Sequence, residues 1–166
     1  MAMARQLWLL RHADAEPRGT LPDAERRLTE RGERQARVAG MALALMGVAF
    51  GAILASPKAR ARETAALALA QMSEPQRELL ELHPSLASGF RANLALDALA
   101  GLGAPLLLIG HEPDLSGVAD ELTGGRMDLK KGGLAVVKLG AGGGELVLLL
   151  RPAELALIAG VAVAEI

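Results

Sequence analysis

Residues 6–12 read QLWLLRH, a short apolar run stopped abruptly by Arg11 and His12. A brief continuous apolar segment bounded by charge is what a strand buried on both faces requires, because helices cover both sides of a parallel sheet. The stretch therefore predicts a central strand with Arg11 and His12 at its carboxyl end. PLLLIG (105–110) has the same character and is followed by His111, while GAILAS (51–56) predicts a further strand followed by Pro57.

Helical patterns separate these strands. Thr29 reads as the N-cap of a helix from Glu30 to about Met46, with Ala36, Ala39, Leu43 and Met46 at helical spacing. Pro57 opens an Ala-rich helix over Ala59 to Met72, and further helices are expected over Arg91 to Ala100 and Asp114 to Leu122, the latter ended by Gly124 and Gly125. Residues 73–88 fit either a helix end or a short strand. LAVVKLG and ELVLLLR flank the turn AGGG and predict a hairpin, after which Pro152 begins a last helix to about Ala159. Its Leu155, Leu157, Ile158 and Val161 fit either core or an interface, and core is the favoured reading. Strands alternating with helices predict an α/β fold, a three-layer α/β/α sandwich whose mostly parallel sheet gains antiparallel strands near the C-terminus.

The chain of 166 residues has the length of one domain, 1–166, and its 51% hydrophobic content is enough to bury a core. A net charge of -1 and 2% aromatic residues supply neither the basic field nor the stacking surfaces of general nucleic-acid binders, so no nucleic-acid partner is expected. With no cysteine, disulfide scaffolds, thiolate metal sites and cysteine nucleophiles are excluded together, which fits a reducing compartment. The charge-free stretch from Val38 to Pro57 is long enough to raise a membrane span, yet Gly47 and Gly51 divide it into a helix end and a strand. The apolar run after Arg5 is too short for a signal peptide, so a cytoplasmic protein with no membrane partner is expected.

In sheets of this kind ligands bind outside the carboxyl ends of the strands, so LLRHADAE (9–16), SPKARARET (56–64) and IGHEPDLS (109–116) converge on one edge. A histidine there can act as a nucleophile toward phosphorus, and Arg11 beside it offers donors matched to phosphate oxygens. Arg60 and Arg62 lie two apart on one helix and cannot share a face, so one reaches the pocket and the other, Arg62, reads as a surface charge paired with Glu63 or Glu74. His111 supplies a second strand-end imidazole, with Asp114 as its alternative loop partner. His83 stands without companions and reads as structural. HEPDL (111–115) lacks the second histidine of a zinc protease motif, GAGGGE joins two strands instead of a strand and a helix, and neither GxSxG nor GxxxxGK[ST] occurs. No metal site or cofactor is expected.

Taken together, these three segments resemble the histidine phosphatase superfamily (phosphoglycerate mutase-like), and within it the small SixA-like phosphohistidine phosphatase branch. DAERRLTERG (23–32) and ELVLLLRPAELALI (145–158) extend the resemblance over nearly the whole chain. It implies that His12 accepts the phosphoryl group while Arg11, Arg60 and His111 bind it. The Gly that usually follows the nucleophile is Ala13 here, as in other SixA-like members. Larger relatives draw a general acid from an inserted segment that this chain lacks. Asp23 is the candidate by similarity, with Asp14 and Glu16 as competitors. A leaving imidazole needs a proton far less than an alkoxide does, so a weak acid favours phosphohistidine over phosphate esters. The expected activity is that of a metal-independent phosphatase acting on a phosphohistidine protein through a shallow, open pocket. A small-molecule phosphomonoesterase and a non-catalytic module binding phosphorylated partners are the alternatives.

Overall fold

The computed structural model describes residues 5–166. Six strands form one sheet in the order β3-β2-β4-β1-β5-β6. β1 (Gln6–Arg11), β2 (Ala52–Ala55), β3 (Leu80–Leu82) and β4 (Leu106–Gly110) run parallel; β5 (Leu134–Gly140) lies antiparallel to β1, and β6 (Gly143–Leu150) antiparallel to β5. The helices are α1 (Glu30–Leu45), α2 (Ala59–Leu69), α3 (Glu74–Arg77), α4 (Ala92–Leu102), α5 (Asp114–Thr123) and α6 (Pro152–Ala159).

Alternation along the strands separates two cores. Trp8, Leu10, Ile53, Ala55, Leu107 and Ile109 face α1, α2 and α6, whereas Leu7, Leu9, Leu54, Leu106 and Leu108 face α4 and α5. All five β4 residues are buried, and each Leu or Ile there contributes about 1.5–3 kcal/mol of apolar burial. This is the expected three-layer sandwich. Two glycines permit close approach: a Cβ on Gly40 of α1 would lie 2.0 Å from the Ala68 carbonyl oxygen of α2, and one on Gly32 would lie 1.9 Å from that of Asp14.

The segment with two sequence readings contains both. α3 is a single turn, β3 a three-residue edge strand, and residues 84–87 form a 3-10 turn. α2 stops at Leu69, short of the expected Met72, because the Gln71 and Met72 amides bond three residues back to Ala68 and Leu69 and tighten the last turn. The last helix is core only in part. Leu155 is fully buried, but Leu157 and Ile158 are 70% and 39% exposed, since α6 rests only one narrow face on the sheet and α1. The charge-free stretch divides as expected into the end of α1 and β2, and no described helix is long and apolar enough to cross a membrane.

Register sets the functional edge. Arg11 lies opposite Gly110, and Ala55 opposite Ile109. The His12 amide donates to Gly110 O at 3.0 Å and the Ser56 amide to Ile109 O at 2.9 Å. His12, Ser56 and His111 therefore leave the sheet side by side.

Candidate active site

His12 and His111 stack obliquely with ring centroids 5.1 Å apart, and both are almost wholly buried. His12 Nδ1 lies 2.8 Å from the Ala13 carbonyl, a contact that requires it to donate. Its Nε2 then carries the lone pair, and Arg60 Nε donates to it at 3.3 Å. Burial, followed by His111 and by the positive neighbourhood of Arg60 and Arg11, holds the His12 pKa at about 3 against an ordinary 6.5, even though the Ala13 carbonyl opposes the shift. An imidazole with this tautomer and charge state is a nucleophile at neutral pH. Ala13 is tolerated after it because no residue other than glycine adopts positive φ among the described residues, and its amide donates to Thr64 Oγ1 on α2 at 3.1 Å.

His111 is depressed to about pKa 4, by burial first and then by Arg60 and Lys58. Its Nε2 lies 2.7 Å from Ser56 Oγ, and its Nδ1 is buried without a protein partner. Asp114, the alternative partner in the sequence reading, instead accepts from the Phe90 amide at 3.2 Å. Arg11 donates from Nη1 to Leu129 O at 2.9 Å, while its Nε is buried and unpaired. Two unused polar positions beside His12 suit the oxygens of an anion.

Asp23 sits in a 3-10 turn, residues 23–25, beside the site. Lys58 Nζ reaches its Oδ2 at 2.8 Å, Arg60 Nη2 the same oxygen at 3.3 Å, and Arg26 Nη2 its Oδ1 at 3.0 Å. Arg60 Nη1 also donates to its carbonyl at 2.6 Å. Lys58 above all, then Arg26 and Arg60, hold the carboxyl far below the ordinary range, so it carries no proton at neutral pH. Asp14 accepts from Thr29 Oγ1 at 2.8 Å and from Lys131 at 3.2 Å, which fastens it to the start of α1, and Glu16 accepts from the Arg27 amide at 2.9 Å.

A cavity of about 180 Å³ over His12 is lined by Arg11, Arg18, Arg26, Arg60, His111 and Glu112 among others. A second, about 450 Å³, shares Arg18, Arg26, Arg60, His111 and Glu112 and adds Lys58, Asp23 and Ser88. The expectation of a shallow, open pocket is corrected here. His12 is only 6% exposed, and the turn bearing Asp23 is tied by its carbonyl to Arg60 and borders the adjoining cavity. Arg62 is on the surface as expected, but Glu63 pairs with Arg27 and accepts from the Leu28 amide. His83 lies edge-on to Phe90 with ring centroids 6.0 Å apart, away from these cavities. Sequence reasoning set Ser56 at this edge without a role and passed over Arg26, Lys58, Thr64 and Glu112. All but Arg26 stand inside the three segments that converge on the edge, so proximity to the strand ends was the available signal. No group of three or more His, Asp or Glu able to hold a metal occurs among the described residues.

A neutral buried histidine, its lone pair turned toward arginines at the carboxyl edge of a parallel sheet, makes a site suited to binding a phosphoryl group. The family model described as histidine phosphatase superfamily (branch 1) matches residues 7–87, which include His12, Asp23 and Arg60. The chain is 32% identical over 149 residues to an uncharacterized protein of Picosynechococcus sp., covering 82% of this chain and 86% of that one. The structure of the protein histidine phosphatase SixA complexed with tungstate superposes with a TM-score of 0.80 at 26% identity, over 90% of this chain and 99% of that one. A phosphoserine phosphatase variant from Entamoeba histolytica in complex with phosphoserine shares the fold, with a TM-score of 0.71 at 15% identity over 89% and 98% of the two chains. The chain belongs to the histidine phosphatase superfamily and is a phosphatase.

Proposed function

We propose that this phosphatase works without metal, in two displacements at His12, and that its substrate is a phosphohistidine in a protein. His12 Nε2 attacks phosphorus, the bond to the leaving group breaks with its electron pair departing on that group, and a phosphoryl-imidazole forms. Water then attacks phosphorus, the P–N bond returns its pair to Nε2, and orthophosphate leaves. Arg11 and Arg60 neutralise the phosphoryl oxygens in both steps, and neutral His111, its Nε2 accepting from Ser56 Oγ, donates to them from Nδ1. The neutral His12, with Nε2 unprotonated and held only by a long bond from Arg60 Nε at 3.3 Å, carries the nucleophile assignment.

The state of Asp23 supports the substrate assignment. Held by three cations, it is a counter-ion in the resting site and has no proton for an alkoxide. A departing imidazole needs little such help. Asp23 as the general acid belongs to the second reading, a small-molecule phosphomonoesterase. That reading is favoured by the buried nucleophile and by the adjoining 450 Å³ cavity, which is suited to a compact substrate. A cytoplasmic location and the absence of nucleic-acid partners belong to the first. The test is phosphate release, in EDTA, from a phosphohistidine protein and from p-nitrophenyl phosphate. Preference for the protein supports the first reading and preference for the ester the second.

A further inference from the structure

The second displacement needs a group to take the proton of the attacking water, and the residues assigned so far leave that place empty. Four carboxylates line the two cavities near His12. Asp23 is saturated by Lys58, Arg26 and Arg60. Glu16 is turned to the Arg27 amide, beside the isolated bridge between Ala15 and Leu28, and Asp114 is turned to the Phe90 amide. Glu112 differs from all three. It follows His111 directly at the end of β4, is half-buried, and walls both the cavity over His12 and the adjoining larger one. Its Oε1 accepts from the Ser116 amide at 2.9 Å, which fixes the side chain against the first turn of α5. Its Oε2 has no hydrogen-bond or ion-pair partner among the described residues.

We propose that Glu112 is the general base that activates water for hydrolysis of the phosphorylated His12. The proposal rests on the assignment of His12 as nucleophile. In an in-line displacement the attacking water occupies the position the leaving group has vacated, opposite Nε2. The leaving group departs toward the larger cavity, and the carboxylate at the junction of the two cavities borders the space that water then enters. The water oxygen bonds to phosphorus, its proton passes to Glu112 Oε2, and the P–Nε2 bond breaks with its pair returning to the imidazole. Orthophosphate leaves, and the carboxylic acid gives its proton to solvent. Arg11, Arg18, Arg26 and Arg60 share the cavity wall with Glu112, and these cations, with the neutral His111 beside them, hold water and phosphoryl group close to it.

The variant that isolates this role is Glu112→Gln, since glutamine keeps the acceptor for the Ser116 amide and removes only the ionisable oxygen. With 32P-labelled phosphoramidate as the probe, native chain should turn over with little label retained. The variant should take up label on His12 at close to the native rate, retain it stoichiometrically, and turn over roughly 10²–10³-fold more slowly. Added formate should speed release of label from Glu112→Ala. Turnover by Glu112→Gln within threefold of native, or formate without effect while label is retained, would overturn the assignment. Native turnover that survives His12→Ala would instead remove the nucleophile on which it rests, and the two failures are thereby distinguished.

Discussion

His12 stays neutral because burial and the surrounding guanidinium groups make the imidazolium costly. Long-range 1H–15N NMR at pH 5.5 should therefore show an uncharged ring protonated on Nδ1, at a pH where an ordinary histidine is mostly charged; an imidazolium signal would contradict the site described here. Asp23 yields a second expectation. Asp23→Asn removes the resident anion from Lys58, Arg26 and Arg60, so tungstate should bind up to about tenfold more tightly, equivalent to about 1.4 kcal/mol. Phosphoramidate hydrolysis should stay within about fivefold of native. A proton donor at this position would instead give an ester-hydrolysis loss of about 10²-fold or more, with no gain in tungstate affinity.

Among the elements, β1 and β4 position the chemistry and were the most legible in the sequence, because their uninterrupted apolar runs are too short for a helix and too apolar for a surface loop. The short pieces were not legible. β3 has three residues at the sheet edge, where one face of pairing and little burial leave no periodic signal. The end of α2 and the exposed Leu157 and Ile158 were missed because helical spacing continues past the point where tertiary packing stops. The packing of α1 on α2 yields the prediction at this scale. Gly40→Ala would drive a methyl into the Ala68 carbonyl, so the two helices must separate, and stability should fall by about 1–3 kcal/mol in urea unfolding. An unchanged midpoint would show that the helices do not approach so closely.

For the whole molecule, the buried histidines tie stability to pH. His12 and His111 titrate near 3 and 4 when folded but near 6.5 when unfolded, so the unfolded chain binds more protons between those values. Their contribution is complete above pH 6.5 and is lost as pH falls toward 4 and below, costing about 2 kcal/mol for each histidine at pH 5. His111→Asn should flatten that dependence in unfolding measured from pH 7 to 5; an unaltered slope would argue against a buried neutral His111. At this scale the site was legible as three segments meeting at one edge, and Arg11, His12, Arg60 and His111 do meet there. The charge state of Asp23 was not, because it depends on Lys58 and Arg26 converging through the folded loop, which no linear spacing reveals. The central claim is that the phosphoryl group passes through His12. Its most direct test is to quench the native chain during turnover of 32P-phosphoramidate in EDTA and map the label by alkaline digestion. Acid-labile label on the peptide containing His12, absent from His12→Ala together with activity, is the predicted result; full activity in His12→Ala, or label on another residue, would contradict it.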